Sequence, residues 1–319
     1  MKCTIQKADF ADIHTDIIRS ESIGNGVKKM GYKSRVDWCD STWSPVTGCL
    51  HGCEYCYAKN IAYRFGSVGF EGNTENGYEC DLYEGTGENH VLDYPALREW
   101  KNGRTTKAPY PFCFDPTFHR YKLDEPQHWK KPRNIFVCSM ADLFGEWVPD
   151  EWIREVFEAC EAAPQHRYLF LTKNPTRYKE VDKIVHWPSF EEMHVEKSRP
   201  TILLGASATN DAQMKVAYDS YADWVSIEPI HEELLPEWFV SSIGYIEFSR
   251  WEWVVIGAET GNSKNKVVPK KEWIQEIADI CLQEGTPVFM KESLRGLMGE
   301  DFKQEFPWQR HGQKEWRNN

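Results

Sequence analysis

Residues 167–175 read Arg167-Tyr-Leu-Phe-Leu-Thr-Lys-Asn-Pro175. An apolar, β-favouring run closes on two polar side chains and then on a proline placed to open a helix. A short unbroken apolar run followed by an amphipathic stretch is the unit of a parallel sheet whose strands are covered on both faces. The same unit recurs on either side. Strands are expected near Arg35–Trp43, Pro111–Asp115, Asn134–Ser139, Thr201–Ser207, Trp224–Glu228, Trp253–Gly257 and Pro287–Lys291, besides Arg167–Thr172. Helices are expected at Pro149–Ala163, Pro175–His186, Asp211–Tyr221, Glu232–Ser242 and Pro269–Glu284, several opening on the Pro, Asp or Glu that a first turn favours. The fold class predicted is α/β, a (β/α) barrel, complete or partial, of six to eight strands.

Polar residues stand at nearly every expected strand end: Asp115, Ser139 with Asp142, Thr172 with Lys173, Ser207, Glu228, Glu259 and Lys291. Any one of them reads as a helix cap or turn residue. Together they predict a polar mouth on the carboxyl rim, where barrels carry their sites. Residues 66–108, rich in Gly, Asn and acidic side chains, interrupt the alternation and read as an insertion or lid after the first helix. The barrel is thus expected over 36–296, with an amino-terminal extension at 1–35 and a carboxyl-terminal tail at 297–319.

The composition bounds the function. With 38 Lys and Arg against 49 Asp and Glu the formal charge is −11, which excludes a broadly basic wrapper of nucleic acid. A hydrophobic share of 41% is enough to bury a large core. The amino-terminal residues hold no apolar run of signal-peptide or membrane-span length, so a cytoplasmic protein with no membrane partner is expected. In a reducing compartment clustered thiols bind metal or do redox work more often than they form disulfides. Seven of the ten cysteines are scattered, but Cys49, Cys53 and Cys56 share the stretch Gly48-Cys-Leu-His-Gly-Cys-Glu-Tyr-Cys-Tyr57, a C-x3-C-x2-C spacing. Three thiolates this close suit an iron–sulfur cube that keeps one iron open. The alternative is zinc: Cys39 with the other three would make a closed site of four thiolates and a non-catalytic module binding nucleic acid or protein. Zinc ribbons pair two C-x2-C knuckles, and only one such pair occurs in this cluster.

The spacing, with Tyr55 before the last cysteine, resembles the signature of the radical S-adenosylmethionine superfamily. Five further stretches are similar to a phage-associated branch of it: Thr42-Trp-Ser-Pro-Val-Thr-Gly-Cys49, Phe136-Val-Cys-Ser-Met-Ala-Asp-Leu-Phe-Gly145, Leu171-Thr-Lys-Asn-Pro175, Ile227-Glu-Pro229 and Gly257-Ala-Glu-Thr-Gly261. The resemblance implies a 4Fe-4S cluster on Cys49, Cys53 and Cys56, and S-adenosylmethionine as second cofactor with Tyr55 against its adenine. It also implies a flavodoxin or ferredoxin as reductant and release of a 5′-deoxyadenosyl radical. The superfamily's Gly-Gly-Glu run is absent, and Ser139 and Asp142 are taken in its place. By their strand-end places Thr172, Lys173, Ser207 and Glu228 are expected to reach ribose or carboxylate, and Glu259 and Lys291 to face substrate as catalytic residues. A nucleoside or nucleic-acid base is the first substrate candidate. The basic stretch Arg120–Arg133, with Lys101, Arg104 and Lys107 upstream and Tyr121 and Trp129 between, would suit it, although a solvated face is the plainer reading.

Overall fold

The computed structural model describes residues 36–66, 85–99, 105–185, 200–220, 222–234, 248–260 and 266–310. The amino-terminal extension, Lys101, Arg104 and most of the helix expected at 232–242 lie outside them. Seven strands form one parallel sheet: β1 (Ser41–Trp43), β7 (Asn134–Val137), β8 (Arg167–Thr172), β9 (Thr201–Ala208), β10 (Trp224–Ile227), β11 (Trp253–Ile256) and β12 (Val288–Met290), neighbours in that order. Two small sheets stand beside it, the insertion contributing one strand to the first and the whole of the second. In one, β2 (Val46–Thr47) and β3 (His90–Leu92) flank β6 (Thr117–His119); the other is the hairpin of β4 (Leu97–Glu99) and β5 (Thr105–Lys107).

No strand forms at 111–115. The segment is a turn, with Cys113 at a φ of 51° and the Asp115 N–H donating to the Phe112 carbonyl, a reversal that no extended run can make. The main sheet therefore has seven strands among the described residues, with β1 and β12 at its ends.

Side chains alternate faces with a period of two, and that alternation splits the core. Ile135, Val137, Tyr168, Phe170, Val225, Ile227, Val254, Ile256, Val288 and Met290 face outward into the helical layer. There they meet Ile153, Val156 and Phe157 of α2 (Asp150–Glu161) and Ile274, Ile277 and Cys281 of α5 (Lys271–Glu284), with α3 (Tyr178–Ile184) and α4 (Asp211–Asp219) in the same layer, whereas α1 (Tyr57–Phe65) packs against Phe114 and Met140. Phe136, Leu169, Leu203, Trp224, Trp253, Val255 and Phe289 face the other way, around Trp38. The Trp38 ring lies 4.7 Å from Phe136 of β7 and 5.3 Å from Trp224 of β10. In a flat sheet those strands would stand about 14 Å apart. One indole touching both shows that the sheet curls into a half-barrel with aromatic rings filling its floor.

Two details seal that floor. Gly205 makes room for Trp224: a Cβ there would sit 2.2 Å from the indole Cε2. From the carboxyl side, residues 303–305 run along β12, with the Met290 N–H donating to the Lys303 carbonyl and the Glu305 N–H to that of Val288. Phe306 and Trp308 then stack at 5.7 and 5.4 Å from Trp253. Met298 and Phe306 of the expected tail are therefore core, with Trp308 half-buried against the floor. Among the described residues no helix is long and apolar enough to cross a membrane.

Candidate functional site

The cysteine loop leaves the carboxyl end of β1 and is fixed on two sides. The Gly48 N–H donates to Met140 and the Cys49 N–H to Phe114. Gly48 has a φ of 85°, and a Cβ on it would lie 2.1 Å from the Asp115 carbonyl oxygen, so only glycine lets the loop press this closely. Cys56 caps α1, its sulfur accepting the Lys59 N–H at 3.3 Å. Cys49, Cys53 and Cys56 all line one cavity of about 300 Å³. Its far wall includes Gly85, Thr86 and Asp115. Asp115 is 2% exposed, and its carboxylate accepts from the Thr86 N–H (2.9 Å), the Thr86 hydroxyl (3.1 Å) and the Gly87 N–H (3.1 Å), strapping the insertion over the cysteines.

Burial pushes the Cys49 thiol up to about 12, against the opposing pull of the nearby His51 backbone N–H. A metal ligand must lose that proton, so metal binding there releases it. Among the described residues no three His, Cys, Asp or Glu side chains close around one point as the ligands of a single ion would. A cube of irons and sulfides is wider than an ion, and each thiolate binds its own corner. Three sulfurs on one 300 Å³ cavity suit that donor set. Cys39 packs beside the aromatic floor and is absent from the cavity wall.

The strand-end residues divide by which face they meet. Lys173, Ser207, Glu228 and Lys291 continue the inward parity of the floor. The Lys173 ammonium donates to the Tyr55 hydroxyl at 3.0 Å and to Ser207 Oγ at 3.3 Å, and it stands 5.2 Å from the Tyr55 ring centroid. Lys291 donates to Glu228 in an ion pair laid over Gly257, where a Cβ would be 2.8 Å from Lys291 Cδ and 3.0 Å from the Glu228 side chain. Glu259 stands 3.7 Å from His231, whose ring meets the Tyr55 ring edge-on at 5.5 Å. Ser139 gives its carbonyl to the Tyr57 hydroxyl at 2.7 Å and its Oγ stands 3.4 Å from that of Ser44.

Asp142 and Thr172 are placed differently from the cofactor contacts expected of them. The Asp142 carboxylate, 5% exposed, already accepts from Thr172 Oγ1 (2.7 Å), the Phe144 N–H (3.0 Å), the Lys173 N–H (2.9 Å) and His51 Nε2 (2.7 Å). Four donors fill its lone-pair sites, and the Thr172 hydroxyl is spent on it, so both act as anchors. No signal in the sequence marks His51, His231 or Thr86 as members of this arrangement. Their partners are 91, 28 and 29 residues away, and no local pattern announces such pairs.

Three members of the basic stretch are engaged within the fold, while Lys107, Lys130 and Lys131 are exposed. Arg120 is held by Glu155 at 2.8 Å and Asp93 at 3.0 Å, Arg133 stacks 4.8 Å from Trp129 and bonds Ser41, and Lys122 is largely buried toward the Ser44 carbonyl.

The chain matches, over residues 33–305, the sequence model of a family described as a protein of unknown function (DUF5131), and it belongs to that family. No curated protein and no solved structure matches it.

Proposed function

We propose that this member of the DUF5131 family is a radical S-adenosylmethionine enzyme built on a partial (β/α) barrel. The observation that carries the reading is the convergence of Cys49, Cys53 and Cys56 on one cavity at the carboxyl end of the first strand, in a C-x3-C-x2-C spacing. The inward-facing polar rim supports it. When bound at those thiolates, a 4Fe-4S cluster reduced by a flavodoxin or ferredoxin supplies an electron to S-adenosylmethionine, which splits to methionine and a 5′-deoxyadenosyl radical.

The chain's own residues bind, orient and exclude water. Tyr55 offers an aromatic face beside the cysteines, its hydroxyl fixed by Lys173. Lys173 and Ser207 present donors to a carboxylate or ribose, and Glu228 with Lys291 presents opposite charges, which suits a zwitterionic amino-acid end. Glu259 and His231 stand on the neighbouring strand ends and face the substrate side. Below, the rings of Trp38, Trp224 and Trp253 close the half-barrel to water, so charges at the rim act in a low-dielectric surrounding. The substrate class we infer, a nucleoside or nucleic-acid base, rests on the resemblance; Arg120 and Arg133 of the basic stretch are engaged by internal partners.

The test is anaerobic purification with iron and sulfide analysis, followed by reduction in the presence of S-adenosylmethionine. The expected result is a brown protein that yields 5′-deoxyadenosine. Cys49→Ala, Cys53→Ala and Cys56→Ala each lose the colour and Cys39→Ala keeps it. Stoichiometric zinc without iron overturns the proposal in favour of a four-cysteine zinc module, and loss of iron in the Cys39 variant alone overturns the assignment of the three ligands.

A further inference from the structure

The Lys173 ammonium sits at the rim among hydroxyls. It donates to the Tyr55 hydroxyl at 3.0 Å and to Ser207 Oγ at 3.3 Å, which uses two of its three hydrogens. Each hydroxyl accepts that bond and keeps its own O–H, and among the described residues neither O–H has an acceptor. The ammonium has no carboxylate partner among them either. Glu228 is paired with Lys291, and Glu259 stands beside His231. The lone pairs of Asp142 are filled by Thr172, Phe144, His51 and the main-chain N–H of Lys173 itself. A half-buried cation and two hydroxyls thus form a cluster with donors in surplus, carrying a positive charge that no described side chain neutralises.

A structural cross-link is built the other way, with an acceptor for each donor, because unmatched polar groups and charges cost free energy. A donor surplus with one positive charge is complementary to an oxyanion, which brings a lone pair for each hydrogen and the opposite charge. The cofactor does not require it. Lys291 and Glu228 already match the carboxylate and the ammonium of its amino-acid end, and a ribose carries no charge. We propose that Lys173, Ser207 and Tyr55 hold a phosphate group of the substrate, so that the molecule acted on is a nucleotide or a nucleic-acid strand and not a free nucleoside. Assignment of the phosphate to the substrate rests on the radical S-adenosylmethionine reading; the anion site itself does not.

The test is thermal melting of the full-length chain, purified anaerobically, at fixed ionic strength, with chloride exchanged in turn for inorganic phosphate, dimethyl phosphate or methionine. Inorganic phosphate at about ten times its Kd is expected to raise the melting temperature of wild type by about 4 °C. Lys173→Met and Ser207→Ala are expected to fall short of wild type in inorganic phosphate and to match it in methionine. Both variants feel the general stabilisation that phosphate gives any protein, so the difference from wild type reports the site. In chloride alone Lys173→Met is expected to melt no lower than wild type, because an unneutralised charge leaves with it. A Lys173-dependent response to dimethyl phosphate as well identifies a phosphodiester, and so a strand; one to inorganic phosphate alone identifies a terminal phosphate, and so a nucleotide. Equal phosphate responses in wild type and both variants overturn the inference. So does loss of the methionine response with the phosphate response kept, which gives Lys173 to the cofactor's carboxylate. Iron and sulfide are measured on the same samples: a chain without them that still shows the Lys173-dependent shift refutes the radical reading and leaves the phosphate site standing.

Discussion

Gly205→Ala tests whether the half-barrel's floor is packed as described. The added methyl would meet the Trp224 indole at 2.2 Å from Cε2, 2.5 Å from Nε1 and 2.6 Å from Cζ2. Ordinary contact begins near 3.4 Å, so ring or strand must give by about 1.2 Å. Neither does so freely. Trp224 is fully buried against Trp38 and Trp253, its N–H bonds the Leu203 carbonyl at 3.3 Å, and Gly205 is paired within β9 to strands on both sides. Overpacking of this kind costs about 1–3 kcal/mol. At roughly 3 °C per kcal/mol for a domain of this size, the melting temperature is expected to fall by roughly 3–9 °C. Trp224→Phe removes the atoms the methyl would strike, so the substitution is expected to cost markedly less in that background, a coupling readable from a double-mutant cycle in urea. If Gly205→Ala melts within a degree of wild type, or its penalty is the same with and without Trp224→Phe, the packing described for the floor is wrong.

Two further outcomes are expected. His119 is fully buried, with Nε2 2.8 Å from Thr47 Oγ1, and burial lowers its pKa from 6.5 to about 3. A base depressed in the folded state contributes stability that is whole above pH 6.5 and is lost as pH falls toward 3. Urea midpoints of wild type should therefore drop across that window more steeply than those of His119→Gln, and parallel curves would contradict it. Asp115→Ala removes the acceptor of three hydrogen bonds from Thr86 and Gly87. It is expected to cost about 2–4 kcal/mol and to open residues 85–89 to limited proteolysis, whereas an unchanged cleavage pattern would show that the strap is held by other contacts.

Six of the eight expected strands lie where the apolar runs put them, and the strand expected at Arg35–Trp43 forms only over its last three residues, because each run is short, β-rich and ended by a polar pair. Inward and outward sets follow from parity alone, which is why Lys173, Ser207, Glu228 and Lys291 come to one side. The failures are of another kind. Phe112–Asp115 has strand composition, but its backbone turns so that Asp115 can hold Thr86, a demand set by residues 29 positions away. Asp142 and Thr172 look like free strand-end ligands until His51 is brought beside them from 91 positions upstream. Trp308 and Phe306 follow a stretch that reads as tail, and nothing local marks them for the interior.

That last placement governs how the chain must be made. A polypeptide emerging amino end first completes all seven strands before residue 306 appears, so until then the rings of Trp253 and Phe289 have no cover on that flank. Greasy surface left bare while a nascent chain waits is where sticking to neighbours begins. Maturation is therefore a late, all-at-once event, and the final dozen described positions decide whether the product is a working container or a clump.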